Sequence, residues 1–410
     1  MVGLGETYIV AFVLALGFSE QASGMLATLP LLIGSIVQLF AGAGIKVLGS
    51  HRRWVLICAT LQAVFLGSLA ILGLLRPNPA GDSVWLVFLL VTLYWTFGMS
   101  AGPSWNSWIG SIVPVSSRAS FFAIRTRIGQ LFTVFGLVIT GLWLHYWEAG
   151  EWKLQVFAGL FIISALSRLV SVYFLSRHPE GENIRPTTGL RLLLKADGFR
   201  WLRERRTSII ILFLLTTHFS INVSGPYFNA YLLKALHLDY LHYMLLISAS
   251  FVTRVLTGGW LQRLANQHGS TSLAHLGALL IIPTPALWIF GDSFFYMLLL
   301  QVYTGLAWGC HELGVTLMLL DKQDHEERAR LLTLTTLLNA VAMFAGSTFG
   351  YWMLAHEVLL PTHYHHIFAA STLLRIVPFF ILPLIGDSHL RLTPWLRSAV
   401  GSWFRPSRPH

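Results

Sequence analysis

The stretch SALSRLVSVYFL, residues 164–175, returns in altered form as STLLRIVPFFIL, residues 371–382. When the two stretches are aligned, Ser164 pairs with Ser371 and Arg168 with Arg375. Further pairs follow in the same order along the chain at nearly the same separation: Gly98 with Gly305, Gly102 with Gly309, Gly136 with Gly346, Tyr8 with Tyr227, and Met25 with Met244. Because the separation changes so little, the sequence predicts two equivalent halves in parallel orientation.

The composition places these halves in a lipid bilayer. Of the 410 residues, 55% are hydrophobic and 11% are charged, whereas a soluble domain carries about 25% charged residues. A membrane-spanning helix needs about 20 mostly apolar residues. Twelve such stretches can be read along the chain, at 3–19, 23–45, 54–76, 84–110, 120–145, 153–176, 207–234, 240–262, 272–291, 294–320, 331–356 and 367–386. We therefore predict an all-α polytopic membrane protein with six transmembrane helices in residues 1–176 and six in residues 207–386.

Lysine and arginine are concentrated in one set of the connections between these spans. With the N-terminus inside, 20 of the 28 basic residues lie in cytoplasmic segments, as the positive-inside rule requires. We expect an integral protein of the bacterial cytoplasmic (inner) membrane with both termini in the cytoplasm. The net charge of +10 then marks topology and contact with anionic inner-leaflet headgroups, and not a nucleic-acid surface.

Two segments lie outside the predicted spans, the linker 177–206 and the tail 387–410. Both mix Leu, Phe and Trp with basic residues, as in GLRLLLKADGFRWLRERR and WLRSAVGSWFRPSR. This pattern favours short amphipathic helices on the inner leaflet, and a solvated linker is the alternative. Neither segment is long enough for a further domain.

The first predicted helix is shorter than its counterpart. In the seventh span, the stretch 208–224 precedes Gly225, whereas only the stretch 1–5 precedes the equivalent Glu6. We expect that helix 1 extends upstream of Met1 in the native protein, or else that it is short by nature.

The loop GAGIKVLGSHRRWVL, residues 42–56, resembles the G-x-L-a-D-R-x-G-x-R-[RK] signature of the major facilitator superfamily, and GGWLQRLANQHGS, residues 258–270, resembles its weaker second copy. Twelve spans in two groups of six, with basic loops after spans 2 and 8, also resemble this family. The signature Asp is replaced by Lys46 and Gln262. The drug-antiporter pattern G-P-x-x-G-G is absent from FGLVITGLWL in span 5. The stretch PSWNSWIGSIVPVSSRASFF, residues 103–122, is similar to poorly characterised bacterial members.

The resemblance implies a secondary transporter whose halves rock about a midplane site. Helices 1, 4, 7 and 10 would line the central cavity, 2, 5, 8 and 11 would form the interface between the halves, and 3, 6, 9 and 12 would form the outer scaffold. The signature loops would act as cytoplasmic gates, and their matching residues here are Lys46, Gly49, Arg52, Arg53, Gln262 and Arg263.

Only two of the 18 carboxylates, Glu6 and Glu312, fall inside predicted spans. A charge at the membrane centre costs several kcal/mol and marks a functional hypothesis. We expect Glu312 to couple protons or to bind substrate, with a structural pairing to Arg as the alternative. Glu6 is a second proton-coupling candidate, unless it lies at a frayed helix end. His311 lies about 100° round the helix from Glu312, where it either tunes the carboxylate and binds substrate or simply packs.

The pair in WGCHELGV, residues 308–315, also suggests the zinc motif H-E-x-x-H, which needs a second His four residues on. Val315 stands there, so the motif fails. We find no catalytic constellation and expect neither an enzyme, a metal site nor a cofactor.

Other polar and aromatic side chains are candidates for the substrate cavity, with hydrogen bonding between helices as the alternative. Arg125 and Arg127 would attract an anion or reach lipid phosphates. The repeat-related Arg168 and Arg375 suggest structural anchors. Gly225 and Pro226 break span 7 and suggest a hinge. The cavity candidates are Trp105, Asn106, Trp108, Arg125, Arg127, His218, Asn222 and Asn229.

The leading functional hypothesis is therefore a monomeric, proton-coupled secondary transporter, by symport or antiport, for a small polar or amphipathic organic solute. An uncoupled facilitator or exchanger is the first alternative, and a non-transporting membrane receptor or scaffold is the second. Flux across the membrane separates transporter from receptor, and its dependence on a proton gradient separates the coupled from the uncoupled transporter.

Overall fold

The computed structural model describes residues 1–75, 83–147, 152–180, 204–320, 325–356 and 363–385, and every regular element in these ranges is a helix. Ten helices are long and apolar enough to cross a membrane. A shorter apolar helix and the 27-residue helix Phe294–Leu320 occupy the two remaining positions, which is consistent with twelve spans. In chain order the helices are α1 Glu6–Ala15, α2 Glu20–Gln38, α3 His51–Leu75, α4 Ser83–Ile112, α5 Val115–Tyr146, α6 Lys153–Ser176, α7 Arg205–Ala235, α8 Tyr240–His268, α9 Ser270–Leu287, α10 Phe294–Leu320, α11 His325–Ala355 and α12 Tyr364–Ile385.

The predicted spans agree with these helices in position, but several helices are interrupted, and the second span shows this first. The predicted span 23–45 is broken near Thr28, and a separate short helix, Ala41–Leu48, follows α2. Pro30 explains the first break, because it has no N–H to donate to the carbonyl of Leu26. Most of the linker and the whole tail, where the amphipathic helices are predicted, lie outside the described residues.

Matching contacts in the two halves confirm the internal repeat. The Tyr8 hydroxyl on α1 donates to the carbonyl of Leu137 on α5 at 2.9 Å. In the second half, the Tyr227 hydroxyl on α7 donates to the carbonyl of Ser347 on α11 at 2.6 Å. These are equivalent positions in the two repeats, so the halves share side-chain contacts as well as helix order.

The two halves are joined at one end of the helices. Lys234 at the end of α7 donates to the carbonyl of Phe18 at 2.9 Å, and Ser347 on α11 donates to the carbonyl of Gly24 on α2 at 3.2 Å. The largest buried apolar cluster draws on both halves at this end. Within the described ranges, each of the five smaller clusters draws on one half only. The halves therefore meet at the end that the charge distribution assigns to the outside.

Asp239 adds a charge contact to this joined end. It caps the N-terminus of α8, where its carboxylate accepts from the N–H of His242 at 2.7 Å, and it lies 3.7 Å from the His145 ring on α5. Burial works against ionisation of Asp239, but the hydrogen bonds from His242 and the charges of both histidines hold its pKa below the usual value.

Close packing of Gly24 against the ring of Tyr227 gives a steric test of the joined end, since a Cβ at Gly24 would overlap that ring. We expect Gly24→Ala to destabilise the protein by about 1 to 3 kcal/mol, the range typical of overpacking, and to lower its Tm in detergent. Gly159→Ala is the matched control, because a Cβ there meets nothing within 4 Å and alanine favours a helix. A Gly24→Ala protein as stable as Gly159→Ala would contradict this packing.

The lowered pKa of Asp239 gives a prediction with a definite sign. Its contribution to stability is complete above the ordinary pKa of 3.8 and is lost as the pH falls through the lower folded value. We expect Asp239→Asn to lower the free energy of unfolding at pH 7 by less than about 1 kcal/mol, because the site is partly exposed. The gap from the native protein should close as the pH falls from about 5 towards 3 in paired Tm measurements, and a gap that stays constant over this range would refute the charge contact.

Candidate functional site

A cavity of about 220 Å³ lies inside the second half, between α7, α8, α9, α10 and α12. Its walls combine aromatic rings with a few polar groups, which is the usual make-up of a small-molecule site. The aromatic residues are Phe228, Phe251, Trp288 and Trp308, and the polar and charged residues are Ser224, Ser250, Arg254, Thr284, Gln301, Thr304 and Arg375.

One face of α10 links this cavity to Glu312. Gln301, Thr304 and Trp308 line the cavity, and Glu312 follows Trp308 by four residues. Side chains three and four residues apart share a helix face. Glu312 therefore continues the lining by one turn, in the direction away from the joined end, and its side chain is 53% exposed.

Glu312 forms an ion pair with Arg254 of α8. Arg254 Nη1 lies 2.9 Å from Glu312 Oε1, and the Arg254 guanidinium also lies over the ring of Phe251 at 4.9 Å. The sequence placed Arg254 inside a span but assigned it no role. Its partner could not be inferred, because the pair is separated by 58 residues and joins two different helices.

His311 does not share this site with its neighbour Glu312. It is 4% exposed, and its ring packs 5.9 Å from the rings of Phe213 and Trp308. The backbone of α9 passes close by, since a Cβ at Gly277 would lie 2.5 Å from the His311 backbone. His311 therefore packs between α7, α9 and α10, where its buried Nδ1 has no hydrogen-bond partner in the described part of the chain.

Arg375 is buried at the back of the cavity, where it compensates a break in α9. Pro285 has no N–H to donate to the carbonyl of Ile281, four residues earlier. Arg375 Nη1 donates to that carbonyl at 3.0 Å and to Thr284 Oγ1 at 2.5 Å. The structural role predicted for Arg375 is thus visible, but the residue also lines the cavity.

The first half holds a different charge arrangement around Glu6. The Tyr94 hydroxyl of α4 donates to Glu6 Oε2 at 2.6 Å. Arg168 of α6 interacts electrostatically with Glu6, Tyr94 and Cys58. Glu6 therefore lies within a polar network, which the sequence could not reveal because its members come from four helices.

The other aromatic and basic candidates of the first half lie elsewhere. Trp108 is 2% exposed in the core and donates to the carbonyl of Pro179 at 3.0 Å. Trp105 lies beneath the guanidinium of Arg125, at 4.0 Å. Asn106 and Arg127 are exposed. The structure does not bring these residues to the cavity of the second half.

The polar candidates on α7 have partners within the helix bundle. Asn222 Nδ2 donates to the carbonyl of His218 at 2.8 Å, and the Tyr243 hydroxyl donates to Asn229 Oδ1 at 2.9 Å. None of the polar candidates on α7 lines the cavity. Gly225, predicted to form a hinge with Pro226, does line it. The hinge prediction matches a local change in winding, because α7 tightens to a 3-10 turn over Gly225–Tyr227.

The predicted gating loops lie at the ends of helices opposite the joined end. Gly49 ends the short helix with a φ of 66°, a left-handed conformation that favours glycine. Arg52 donates to the carbonyl of Ser176, and the Arg53 N–H donates to Ser50 Oγ at 3.1 Å. The loop residues Lys46, Gln262 and Arg263 are exposed.

Among the described residues, no group of three or more His, Cys, Asp and Glu side chains is placed to hold a metal ion. The cavity and its mouth offer charge compensation by Arg254, Glu312 and Arg375, with aromatic surfaces for the body of a ligand.

The ion pair at the cavity mouth can be tested by a double-mutant cycle. We expect Glu312→Gln and Arg254→Gln to be coupled by about 1 kcal/mol or less, because half-exposed pairs contribute little to stability. Arg125→Gln is the matched control and should be additive with Glu312→Gln, since it lies in the other half. A loss of more than about 3 kcal/mol for Glu312→Gln alone would instead indicate a buried structural pair.

The chain is similar to known proteins both in sequence and in fold. Residues 2–347 match the Major Facilitator Superfamily, and no curated protein sequence matches the chain. The nucleoside transporter NupG is 15% identical, with a TM-score of 0.65 over 94% of this chain and 99% of that one. A D-xylose-proton symporter is 14% identical, with a TM-score of 0.67 over 95% and 94%.

The xylose transporter XylE from E. coli, in a partially occluded inward-open conformation, is 15% identical, with a TM-score of 0.63 over 92% of this chain and 94% of that one. At identities this low the likeness shows the fold alone. The sequence match, in contrast, extends from residue 2 to residue 347 and so includes most of the chain. The protein therefore belongs to the Major Facilitator Superfamily.

Proposed function

We propose that the protein is a proton-coupled secondary active transporter that moves a small organic solute by alternating access. The observation that carries this proposal is the Arg254–Glu312 ion pair at the mouth of an aromatic-lined cavity. A proton taken up by Glu312 neutralises its carboxylate and weakens the pair. Proton binding then changes the charge at the mouth of the cavity in which the solute binds.

The distribution of contacts between the halves supports alternating access. The halves meet at one end through α1, α2, α7 and α11, while apolar clusters towards the other end stay within single halves. Such an arrangement suits one of two access states. By the charge rule we place the joined end outside, so that the open end and both termini face the cytoplasm of a bacterial inner membrane.

Glu6 is the second proton site of this proposal. The hydrogen bond from Tyr94 and the nearby Arg168 surround Glu6 with polar groups, so a change in this network during rocking would change its affinity for a proton. The protein needs neither a cofactor nor catalytic groups for this function. A nucleoside and xylose, named for two similar structures, support a small polar organic solute as substrate.

Proton movement in proteoliposomes tests the proposal directly. Vesicles loaded with a pH-sensitive dye receive sugars, nucleosides, amino acids or carboxylates from outside. We expect at least one solute to change the internal pH, and Glu312→Gln to reduce that change at least tenfold while solute exchange persists. Glu180→Gln, an exposed carboxylate outside the spans, is the matched control and should behave as the native protein.

Each other outcome identifies an alternative. Solute flux without proton movement in the native protein would establish an uncoupled facilitator or exchanger. Solute binding without any flux would establish a receptor. Proton-coupled flux that survives Glu312→Gln would remove Glu312 from the mechanism and leave Glu6 as the coupling residue.

A further inference from the structure

The two halves differ at one pair of equivalent positions, Glu6 on α1 and Gly225 on α7. The alignment that pairs Tyr8 with Tyr227 also pairs Glu6 with Gly225, two positions earlier in each half. Both residues open a 3-10 turn, over Glu6–Tyr8 and over Gly225–Tyr227. One half thus has a carboxylate where the other has no side chain.

The residues next to this pair correspond as well. Ser224 Oγ donates to Ser371 Oγ at 3.0 Å, so α7 meets α12 there. In the first half, a Cβ at Gly5 would lie 2.7 Å from Ser164 Oγ, which is the equivalent contact. Arg168 follows Ser164 by four residues on α6, and Arg375 follows Ser371 by four residues on α12. The two arginines therefore lie one helical turn beyond these equivalent contacts. Gly225 therefore lies beside the helix face that bears Arg375.

Arg375 has no carboxylate partner within the described part of the chain, since no Asp or Glu there comes within ion-pair distance of it. Arg375 is 5% exposed, and its Nε has no hydrogen-bond partner. A buried guanidinium without a counter-charge is unfavourable. In the first half, by contrast, Glu6 supplies negative charge near the equivalent Arg168.

A second donor also has a counterpart. Tyr94, which donates to Glu6, is equivalent to Gln301 in the alignment that pairs Gly98 with Gly305. Gln301 is 7% exposed and lines the cavity. The second half therefore keeps a cation and a hydrogen-bond donor at the positions that receive a carboxylate in the first half, but it lacks the carboxylate.

Pro226 favours a glycine before it, because in the helical conformation of Gly225, with φ of −52° and ψ of −51°, a Cβ is disfavoured by the proline ring that follows. Beyond these neighbours in the chain the position is open, since a Cβ there would meet Ile221 Cγ2 at 3.9 Å. Glycine in a helix is less favourable than alanine by about 1 kcal/mol. The absent side chain instead leaves open space on the wall of the cavity.

We propose that this cavity binds a small organic monoanion whose carboxylate takes the position that the Glu6 carboxylate takes in the first half. Arg375 provides the counter-charge, Gln301 donates a hydrogen bond, and the rings of Phe228, Trp288 and Trp308 enclose the apolar body. An apolar cavity of about 150 Å³ can hold benzene, so a volume of about 220 Å³ suits a molecule of the size of benzoate. The inference rests on the proposed function in that this anion is the transported solute.

Arg254 does not compete for this role, because Glu312 already balances its charge. Among the described residues the cavity thus has one cation without a carboxylate partner, and the proposal requires one negative charge on the ligand. A neutral or cationic molecule of the same shape would leave Arg375 uncompensated.

The first test compares ligands of one shape and different charge on the purified full chain. Benzoate and cyclohexanecarboxylate should raise the Tm by a few degrees and saturably, since a ligand that binds the native state stabilises it. Benzamide and benzylamine at equal ionic strength should give no saturable rise. Equal stabilisation by benzamide or benzylamine, or no stabilisation by any carboxylate of this size, would overturn the proposal.

The second test builds the missing carboxylate into the protein. Without any ligand, Gly225→Glu should have a Tm a few degrees above that of Gly225→Gln, because only Glu supplies the counter-charge of Arg375. Adding Arg375→Gln should remove this difference between the two variants. Gly225→Glu should also lose the shift with benzoate, whereas Gly159→Ala should keep it. If Gly225→Glu is no more stable than Gly225→Gln, the guanidinium does not face the open space and the proposal fails.

The two proposals fail in different ways. A carboxylate-specific Tm shift without solute-driven proton movement would refute the transport proposal and leave the anion site. Proton-coupled flux of a neutral or cationic solute that persists in Gly225→Glu would refute the anion site and leave the transport function.

Discussion

The interior of a membrane protein offers no bulk water to the free carbonyl of a broken helix or to a buried charge. Both conditions apply at Arg375, which donates to such a carbonyl and is itself a buried charge. Pro285 interrupts α9 and leaves the carbonyl of Ile281 without its helical partner, and Arg375 donates to that carbonyl. In lipid each unsatisfied backbone group costs several kcal/mol, so this guanidinium stabilises the break in α9 together with the Thr284 hydroxyl, which donates to the same carbonyl at 2.8 Å. The same contact holds a positive charge at the wall of the cavity, which ties the architecture of the second half to the chemistry of its site.

The pseudo-symmetry of the halves makes this charge informative. The first half encloses both members of the pair, since Glu6 and Arg168 belong to one polar network. The second half keeps the arginine and a hydrogen-bond donor, with Gln301 in place of Tyr94, but has Gly225 in place of the carboxylate. Two copies of one architecture have therefore diverged into a self-neutralised half and a half with an open, positively charged cavity. This difference lies at a few positions, and it can be recognised only because the repeat aligns the two halves residue by residue.

Much of the fold could be predicted from sequence because its causes are local. The apolar stretch 294–320 coincides with α10, and the internal repeat predicted that Tyr8 and Tyr227 are equivalent. The site was harder, because it depends on which helix faces meet. Glu312 was found from its position in an apolar stretch, but its pairing with Arg254 depends on the packing of α8 against α10. Nothing in the sequence indicates that the side chain of Trp108 faces the core instead of the cavity.

The short turn Gly225–Tyr227 connects the cavity to the joined end of the two halves. Gly225 lines the cavity, while the ring of Tyr227 packs against Gly24 of the other half and its hydroxyl donates to Ser347 of α11. Peptide units are planar and stiff, so a displacement of Gly225 must be passed on to Tyr227 or absorbed by the few dihedral angles between them. Pro226 restricts one of those angles. A residue of the cavity wall and a residue of the contact between the halves thus lie two positions apart on one short turn, so a displacement at the cavity wall acts directly on the contact between the halves.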